Sequence, residues 1–418
     1  MDTFLKSQNP WWTDHDWTRA DPHLTAVEGK AYYFQRPERD RLLKVGCGIN
    51  IVRGPRQVGK TTLLKELIRD LLVQGTPALQ IGFLSCETIE DFKELEARIV
   101  PWISGHESGG VLILDEVCFV REWARAVLAI SNRGLLRKFR VFITGSNARD
   151  LKESSERLPG RRHGGLDVRL MPLSFEEFRS LSCFALLPAS ELVDVYLKVG
   201  GFPHAIRDFS EHGLVLDETY RTYFNWILGD ASHYGLQEAI LRQFLIRIHQ
   251  TVASRVTWKS LIETTTVKSH ETALDYVEHL EDAFIVFVLY FWDPGKRTVV
   301  TTKARKIYFV DPLLHWISLG WASGAINMWN IACERIADPN VKGKLFENFV
   351  ASEWRRRHPS TQFWYSSKTG KEIDLVVPTA TGLSLFDVKL SVDATNSRQE
   401  QQLNQDVTIV TPSSFQNG

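Results

Sequence analysis

The stretch Gly54-Pro55-Arg56-Gln57-Val58-Gly59-Lys60-Thr61 is a complete G-x-x-x-x-G-K-S/T phosphate loop. An apolar run, Ile49-Asn50-Ile51-Val52, leads into it, and Thr62-Leu63-Leu64-Lys65-Glu66-Leu67-Ile68 follows with helical spacing. A glycine-rich turn between a strand and a helix lets successive backbone N–H groups curl around an anion at the helix N-terminus. In that setting Lys60 reaches the β- and γ-phosphates of a nucleoside triphosphate, and Thr61 offers its hydroxyl to Mg2+. Residues Gly54 to Thr61, with Thr62 behind them, are therefore the expected ATP-binding set.

Downstream, apolar segments alternate with helical ones, the pattern of a parallel sheet covered on both faces. Strands are expected at 47–53, 79–85, 110–115, 139–144 and 167–171. The third ends Val111-Leu112-Ile113-Leu114-Asp115-Glu116, four apolar residues and then two acids, a Walker B pattern. Asp115 would hold the Mg2+ shell, and Glu116 would orient and deprotonate the attacking water. The fourth strand runs into Gly145-Ser146-Asn147, where a polar side chain can touch the γ-phosphate or the lytic water. Asn147 or Ser146 could serve, and a polar loop after a buried strand is an equal reading. The basic turn Leu158-Pro159-Gly160-Arg161-Arg162 supplies a candidate arginine finger, Arg161, to neutralise charge in a neighbour's site.

The runs GPRQVGKTTLLKEL, LILDEV, TGSNA, LPGRR, MPLSFEEF and VGGFP, with the NPWW start, span nearly the whole chain. Together they resemble the archaeal-type AAA+ ATPases that carry a C-terminal restriction-endonuclease-like domain. The resemblance implies an ATPase assembling as a homo-oligomer, a hexameric ring being one form open to it. No sensor-2 arginine stands out in this sequence, which leaves the lid arrangement open.

Composition narrows the partners. Lys+Arg and Asp+Glu are equal at 50 each, so no overall charge draws the chain to nucleic acid or membrane, and a DNA role must rest on local patches. The five cysteines, Cys47, Cys86, Cys118, Cys183 and Cys333, contain no C-x-x-C pair, which fits a reducing cytoplasm better than a disulfide framework or a zinc site. The N-terminus lacks a basic stretch followed by a long apolar one, so no signal peptide is expected. The longest apolar run, Ala283 to Trp292, is about half the ~20 residues that cross a bilayer.

From about Leu186 to Asp230 the chain reads as helical, broken at Gly200-Gly201-Phe202-Pro203. Phe244 to Asp311 reads as three short helices and a β-hairpin, a winged helix. Its third helix begins near Ser269 with Ala273, Tyr276, Val277 and Leu280 on one face. The hairpin pairs 284–290 with 306–310, and the connecting wing holds Lys296, Arg297, Lys303, Arg305 and Lys306 against Asp293 alone. Such a wing can follow a phosphate backbone. The acids on helix three, Glu271, Asp275, Glu278, Glu281 and Asp282, argue equally for a packing module.

A second constellation lies at 343–411. Glu347 shares a helical face with Val350, Ala351 and Trp354, and strands at 373–377 and 385–389, joined at Gly382, carry Asp374, Asp387 and Lys389. This E…D…D-x-K order resembles the PD-(D/E)xK nuclease superfamily. The resemblance implies Mg2+ or Mn2+ on Asp374 and Asp387, Glu347 completing the shell directly or through water, and Lys389 positioning the attacking water. A helix around Gln399–Asn404 and a strand at 407–410 complete the expected order. The basic run Arg355-Arg356-Arg357-His358 fits a DNA path or a solvated helix end.

The expected architecture is α/β: an aromatic extension (1–30), a P-loop ATPase core with a parallel sheet (31–180), a helical lid or linker (181–240), a winged helix (241–325) and a nuclease-like domain (326–418). The leading function is ATP hydrolysis coupled to DNA processing. The rivals are a nucleotide-dependent switch whose nuclease-like domain does not cut, and a chaperone-like ring.

Overall fold

The computed structural model describes residues 3–146, 151, 164–324, 326–380, 382–391, 401–402 and 405–415. They fall into two compact units, Met1–Met171 and Pro172–Gly418.

In the first unit, β1 (Gly48–Arg53), β2 (Ile81–Ser85), β3 (Gly110–Asp115), β4 (Phe139–Gly145) and β5 (Asp167–Arg169) form one sheet in the order β2-β3-β4-β1-β5. Every pairing is parallel. The five strands expected from the apolar runs all form. Their near-continuous apolar character follows from burial on both faces: Val111 to Leu114 of β3 and Ile49, Ile51 and Val52 of β1 are all buried. Because the strands are parallel, the turns after β1, β3 and β4 leave the sheet at the same end. That topology gathers Gly54–Thr61, Asp115-Glu116 and Thr144–Ser146 at one place.

β2 is an edge strand, and the N-terminal extension caps it. The buried Asn9 amide donates to the Phe83 carbonyl at 2.8 Å and accepts from the Phe83 N–H at 2.7 Å, acting as a short piece of strand. Trp11 and Trp12 both donate their indole N–H to the Ile81 carbonyl, at 3.0 and 2.8 Å. An open edge invites pairing with other chains, and these side chains consume its free groups. Behind them the Lys65 ammonium lies 4.1 Å from the Phe83 ring centre and 5.1 Å from that of Trp11, with Asp21 at 3.5 Å. Burial lowers the Lys65 pKa against the pull of Asp21. Asn9→Ala leaves two buried main-chain groups of Phe83 unpaired, and we expect it to cost about 2–4 kcal/mol in a denaturant melt of the full chain. A loss below about 0.5 kcal/mol would show that the extension does not brace the edge.

In the second unit, helices Ala189–Val199, Pro203–His212 and Asp217–His233 follow the expected helical stretch. The break falls at Gly200, whose φ of +72° and whose missing Cβ, which would sit 2.1 Å from Asp311 Oδ1, both require glycine. Helices Glu238–Thr251, Trp258–Ile262 and His270–Asp282 come next. Ser269 caps the last, accepting from Glu271 N–H, and Ala273, Tyr276, Val277 and Leu280 are buried. β6 (Val286–Leu289) and β9 (Lys306–Phe309) then pair antiparallel, with Val286 opposite Phe309.

The segment between them departs from a simple wing. β7 (Phe291–Asp293) and β8 (Thr298–Val300) make their own hairpin, and β7 runs parallel to β10 (Gln362–Tyr365) through Phe291 and Phe363. β11 (Glu372–Pro378), β12 (Leu383–Val388), β13 (Gln401–Gln402) and β14 (Gln405–Val410) complete a seven-stranded sheet in the order β13-β14-β12-β11-β10-β7-β8. One sheet therefore takes strands from both sides of residue 326, where a domain boundary was expected. Trp292 of the hairpin is buried with Ile373, Val376, Leu385 and Val407, which explains why β7 joins this sheet. The helix expected around Gln399–Asn404 is corrected at Gln401–Gln402, which pair antiparallel with β14; residues 399, 400, 403 and 404 lie outside the described residues.

Two wing cations also need correcting. Lys296, Arg297 and Lys303 are exposed, but Arg305 and Lys306 are buried. Arg305 stacks 3.9 Å from the Trp258 ring centre. Among the described residues no helix is long and apolar enough to cross a membrane.

Candidate functional site

The phosphate loop sits where β1 hands over to the helix Lys60–Val73. Gly54 lies so close to the Leu170 carbonyl that a Cβ would meet its oxygen at 1.9 Å, and Gly59 adopts φ +96° at the helix N-cap. Gln57 is left-handed as well, Val58 is buried, and the Arg56 guanidinium lies 5.0 Å from the Phe119 ring centre. Pro55 has its carbonyl turned inward. The Lys60 ammonium, 3% exposed, donates to the carbonyls of Gly54 and Pro55, each at 3.0 Å, and lies 3.0 Å from Glu116 Oε1. A buried ammonium inside a glycine turn at a helix N-terminus is the electrostatic half of a phosphate cradle.

The acid pair completes it. Thr61 Oγ1 donates to Asp115 Oδ2 at 2.7 Å, and Thr144 Oγ1 donates to Asp115 Oδ1 at 2.5 Å. Burial, and then the charge of Glu116, push the Asp115 carboxyl above its usual range, against those two hydroxyls and Lys60. A buried carboxylate beside a hydroxyl is a hard-oxygen pair, so Thr61 and Asp115 fit Mg2+. Glu116 stands in the left-handed region at φ 53°, its N–H donating to Thr144 Oγ1 at 2.8 Å and its Oε2 accepting from Ser146 at 3.0 Å. Burial alone would raise its pKa, but Lys60 beside it wins and holds it low. Glu116 therefore stays ionised, as a general base must. Thr62 follows on the first helical turn, half-buried.

Of the two residues open at the end of β4, Ser146 meets Glu116, while Asn147 lies outside the described residues, as does Arg161. Thr144, which touches both acids, was missed. Its place two residues before Ser146, on the last turnward positions of a strand beside β3, was the available signal.

The second constellation is built by β9, β11, β12 and the helix Pro339–Arg357, which Asp338 caps by accepting from Asn340 N–H. The β11–β12 register that sets Leu375 opposite Phe386 brings Asp374 to face Asp387. Asp374 Oδ2 accepts from Val388 N–H at 3.0 Å, and Lys389 lies 3.3 Å from Asp387 Oδ2. Glu347 comes from the helix. Between these acids stands an unexpected cation, the Lys306 ammonium of β9, 2.8 Å from Glu347 Oε1, 2.9 Å from Asp374 Oδ1 and 2.5 Å from Glu372 Oε1. Tyr308 donates to the same Glu347 oxygen at 2.6 Å, and Arg255 lies 3.1 Å from Glu372 Oε2.

The charges follow. Burial opposes the Lys306 charge, yet the surrounding anionic groups hold its pKa well above the usual lysine value. Burial raises Asp374 but Lys306 overcomes it, so that carboxyl is lowered. Burial, then the Asp374 charge, raise Asp387. Burial lifts Glu347 to about 7 against the pull of Lys306. The Lys306 ammonium donates to Glu347 and Asp374 and ion-pairs with Glu372, so three different carboxylates surround it. Among the described residues no group of three or more His, Cys, Asp or Glu is arranged to hold a metal ion. The metal expectation for Glu347, Asp374 and Asp387 thus meets a centre already filled by this chain's own cation, and with Lys306 in place these residues do not fit a divalent ion.

Lys306 and Glu372 were also missed. Alternation along the strands was the usable signal: Lys306 shares a face with Tyr308, and Glu372 with Asp374. In the run Arg355–His358, Arg357 and His358 are exposed, while the first three residues also meet the chain itself. Arg355 donates to the Pro359 carbonyl, Arg356 to that of Pro172, and Arg357 lies 3.7 Å from Glu353.

Residues 48–179 match a family model described as an AAA domain. This segment has the five-stranded parallel sheet and phosphate loop of an AAA+ P-loop core. Beyond it, residues 190–322 match a domain of unknown function, DUF8612, and residues 342–414 another, DUF4143. The chain is 25% identical over 375 residues to the uncharacterized protein MJ1544 of Methanocaldococcus jannaschii, covering 84% of this chain and 77% of that one. It is 26% identical over 359 residues to an uncharacterized protein of Haemophilus influenzae, covering 82% and 83%. Among solved structures, the Aeropyrum pernix ORC2 protein in its ADPNP-ADP complexes aligns over 75% of this chain and 98% of its own, at 13% identity and TM-score 0.43. The Aeropyrum pernix ORC1 protein in complex with DNA aligns over 70% and 94%, at 13% identity and TM-score 0.37. The span matched by the AAA model holds the phosphate loop, both acids and Thr144.

Proposed function

We propose that this protein hydrolyses ATP at the AAA domain and uses the cycle to regulate contact with DNA. The observation that carries the first half is the linked set Lys60, Thr61, Asp115, Glu116 and Thr144, in which the loop cation, a hard-oxygen pair and an ionised base converge within hydrogen-bond distance. The loop amides and Lys60 bind the phosphates, and Thr61 and Asp115 hold Mg2+, which neutralises phosphate charge when bound. Glu116, turned by its left-handed backbone and steadied by Ser146, orients water and accepts its proton. Homo-oligomerisation, with Arg161 reaching a neighbour's site, and a cytoplasmic setting belong to the same reading.

The DNA half rests on the exposed cations Lys296, Arg297 and Lys303 around the β7–β8 hairpin. The three helices with β6 and β9 support a winged-helix reading, and β10–β14 with the helix Pro339–Arg357 a restriction-endonuclease-like one. Asp374, Asp387 and Lys389 face one another across β11 and β12, but the Lys306 ammonium among the acids favours a nuclease-like domain that does not cut.

The test is an ATPase assay with single-stranded, duplex, forked and four-way DNA, the same DNA being checked for cuts with Mg2+ and Mn2+. Stimulation of several-fold by one form, with no cleavage, is expected. Hydrolysis indifferent to every form would remove the DNA half. Cleavage by wild type that Asp387→Ala abolishes would overturn the non-cutting reading.

A further inference from the structure

We propose that the ammonium of Lys306 stands in place of the divalent cation of a nuclease-like centre, making the C-terminal carboxylate cluster a metal-independent clamp. The inference is separate from ATP hydrolysis and DNA binding, and concerns only the cation chemistry of the second unit.

Three observations carry it. First, Lys306 is fully buried, and its ammonium lies 2.5–2.9 Å from one oxygen each of Glu372, Glu347 and Asp374. The ammonium hydrogen-bonds Glu347 and Asp374 and ion-pairs with Glu372, so its charge is met within the chain. Second, several of the other carboxylate oxygens are engaged: Asp374 Oδ2 by Val388 N–H, Glu372 Oε2 by Arg255, and Asp387 Oδ2 by Lys389. A divalent ion bonding the same carboxylates at about 2.0–2.6 Å would sit within about 3–4 Å of the ammonium, where like charges in a low-dielectric interior exclude each other. Third, Lys306 arrives from outside the E…D…D-x-K segment. It lies on β9, which pairs with β6 rather than with the seven-stranded sheet.

The arrangement also gives the clamp a task. Glu347 sits on the helix Pro339–Arg357, and Glu372 and Asp374 sit on β11, so one side chain ties β9 to two elements of the C-terminal fold. Tyr308, one turn of the strand pleat further on, adds a second bond to Glu347. A metal ion would make the same tie, but its strength would depend on the ion's supply; a lysine does so permanently.

The experiment uses the full-length protein without nucleotide. Mn2+ binding is followed by electron paramagnetic resonance, and Tm is recorded in EDTA and in Mn2+. For wild type we expect no Mn2+ uptake that Asp387→Asn or Asp374→Asn removes, and the same Tm in EDTA and in Mn2+. Lys306→Met leaves one buried and two partly buried carboxylates without their cation. Its Tm in EDTA should fall on the order of 10 °C, and Mn2+ should restore much of that while binding near one ion per chain. Wild type taking up a stoichiometric Mn2+ that Asp387→Asn abolishes would overturn the proposal, whether or not Lys306→Met folds. A Lys306→Met protein as stable as wild type in EDTA, with no response to Mn2+, would also overturn it.

Discussion

Lys60→Ala is expected to weaken ATP binding by roughly 100-fold or more, the equivalent of losing about 3 kcal/mol of charge-assisted bonding. Lys60 is the one loop cation buried in the turn itself, held by the Gly54 and Pro55 carbonyls. Arg56 is turned onto the Phe119 ring and cannot take its place without leaving that contact. The substitution has a second consequence, because Glu116 loses the ammonium that holds its pKa down in a buried setting. Phosphate grip and base ionisation should therefore fail together. Equilibrium titration with a fluorescent ATP analogue measures the first, and retention of more than about one-tenth of the affinity would refute this role for Lys60.

Glu116→Gln should separate the two functions of the site. The amide keeps the shape of the side chain and a partner for Ser146, but it cannot accept a proton from water. ATP binding should be retained, or tightened because Lys60 loses its competing carboxylate partner. Turnover should fall by about 10²–10⁴-fold, the usual contribution of a positioned general base. Single-turnover phosphate release beside a binding isotherm distinguishes this from simple unfolding. A variant that loses binding and turnover equally would mean that Glu116 shapes the loop rather than acting on water.

The nucleotide site was legible in the sequence because each of its parts is locally encoded. The glycine spacing, the apolar run of β3 ending in two acids, and the alternation of strand and helix all fall within short windows. Parallel topology then brings the strand ends together without further information. Thr144 escaped because its role depends on β3 and β4 being neighbours, which pairs Leu114 with Ile143 and sets Thr144 beside the acids.

The C-terminal centre was half legible. Glu347, Asp374, Asp387 and Lys389 could be named from spacing, and β11 and β12 place the last three as strand alternation requires. Lys306 could not be placed the same way. In sequence it is one of several cations in a polar hairpin, and only the packing of β9 against the helix Pro339–Arg357 and β11 turns it inward. The NPWW start posed the same problem. Its tryptophans look like an unassigned aromatic extension until β2 proves to be an edge strand with free carbonyls for them to cap.

ATP turnover at the phosphate loop is the property on which the proposed function depends most. Steady-state phosphate release by the full-length protein with Mg2+ and ATP, run beside Lys60→Ala and Glu116→Gln, tests it most directly. We predict multiple turnovers for wild type and near-background rates for both variants. No turnover by wild type with any DNA form present, or turnover that survives both substitutions, would contradict it.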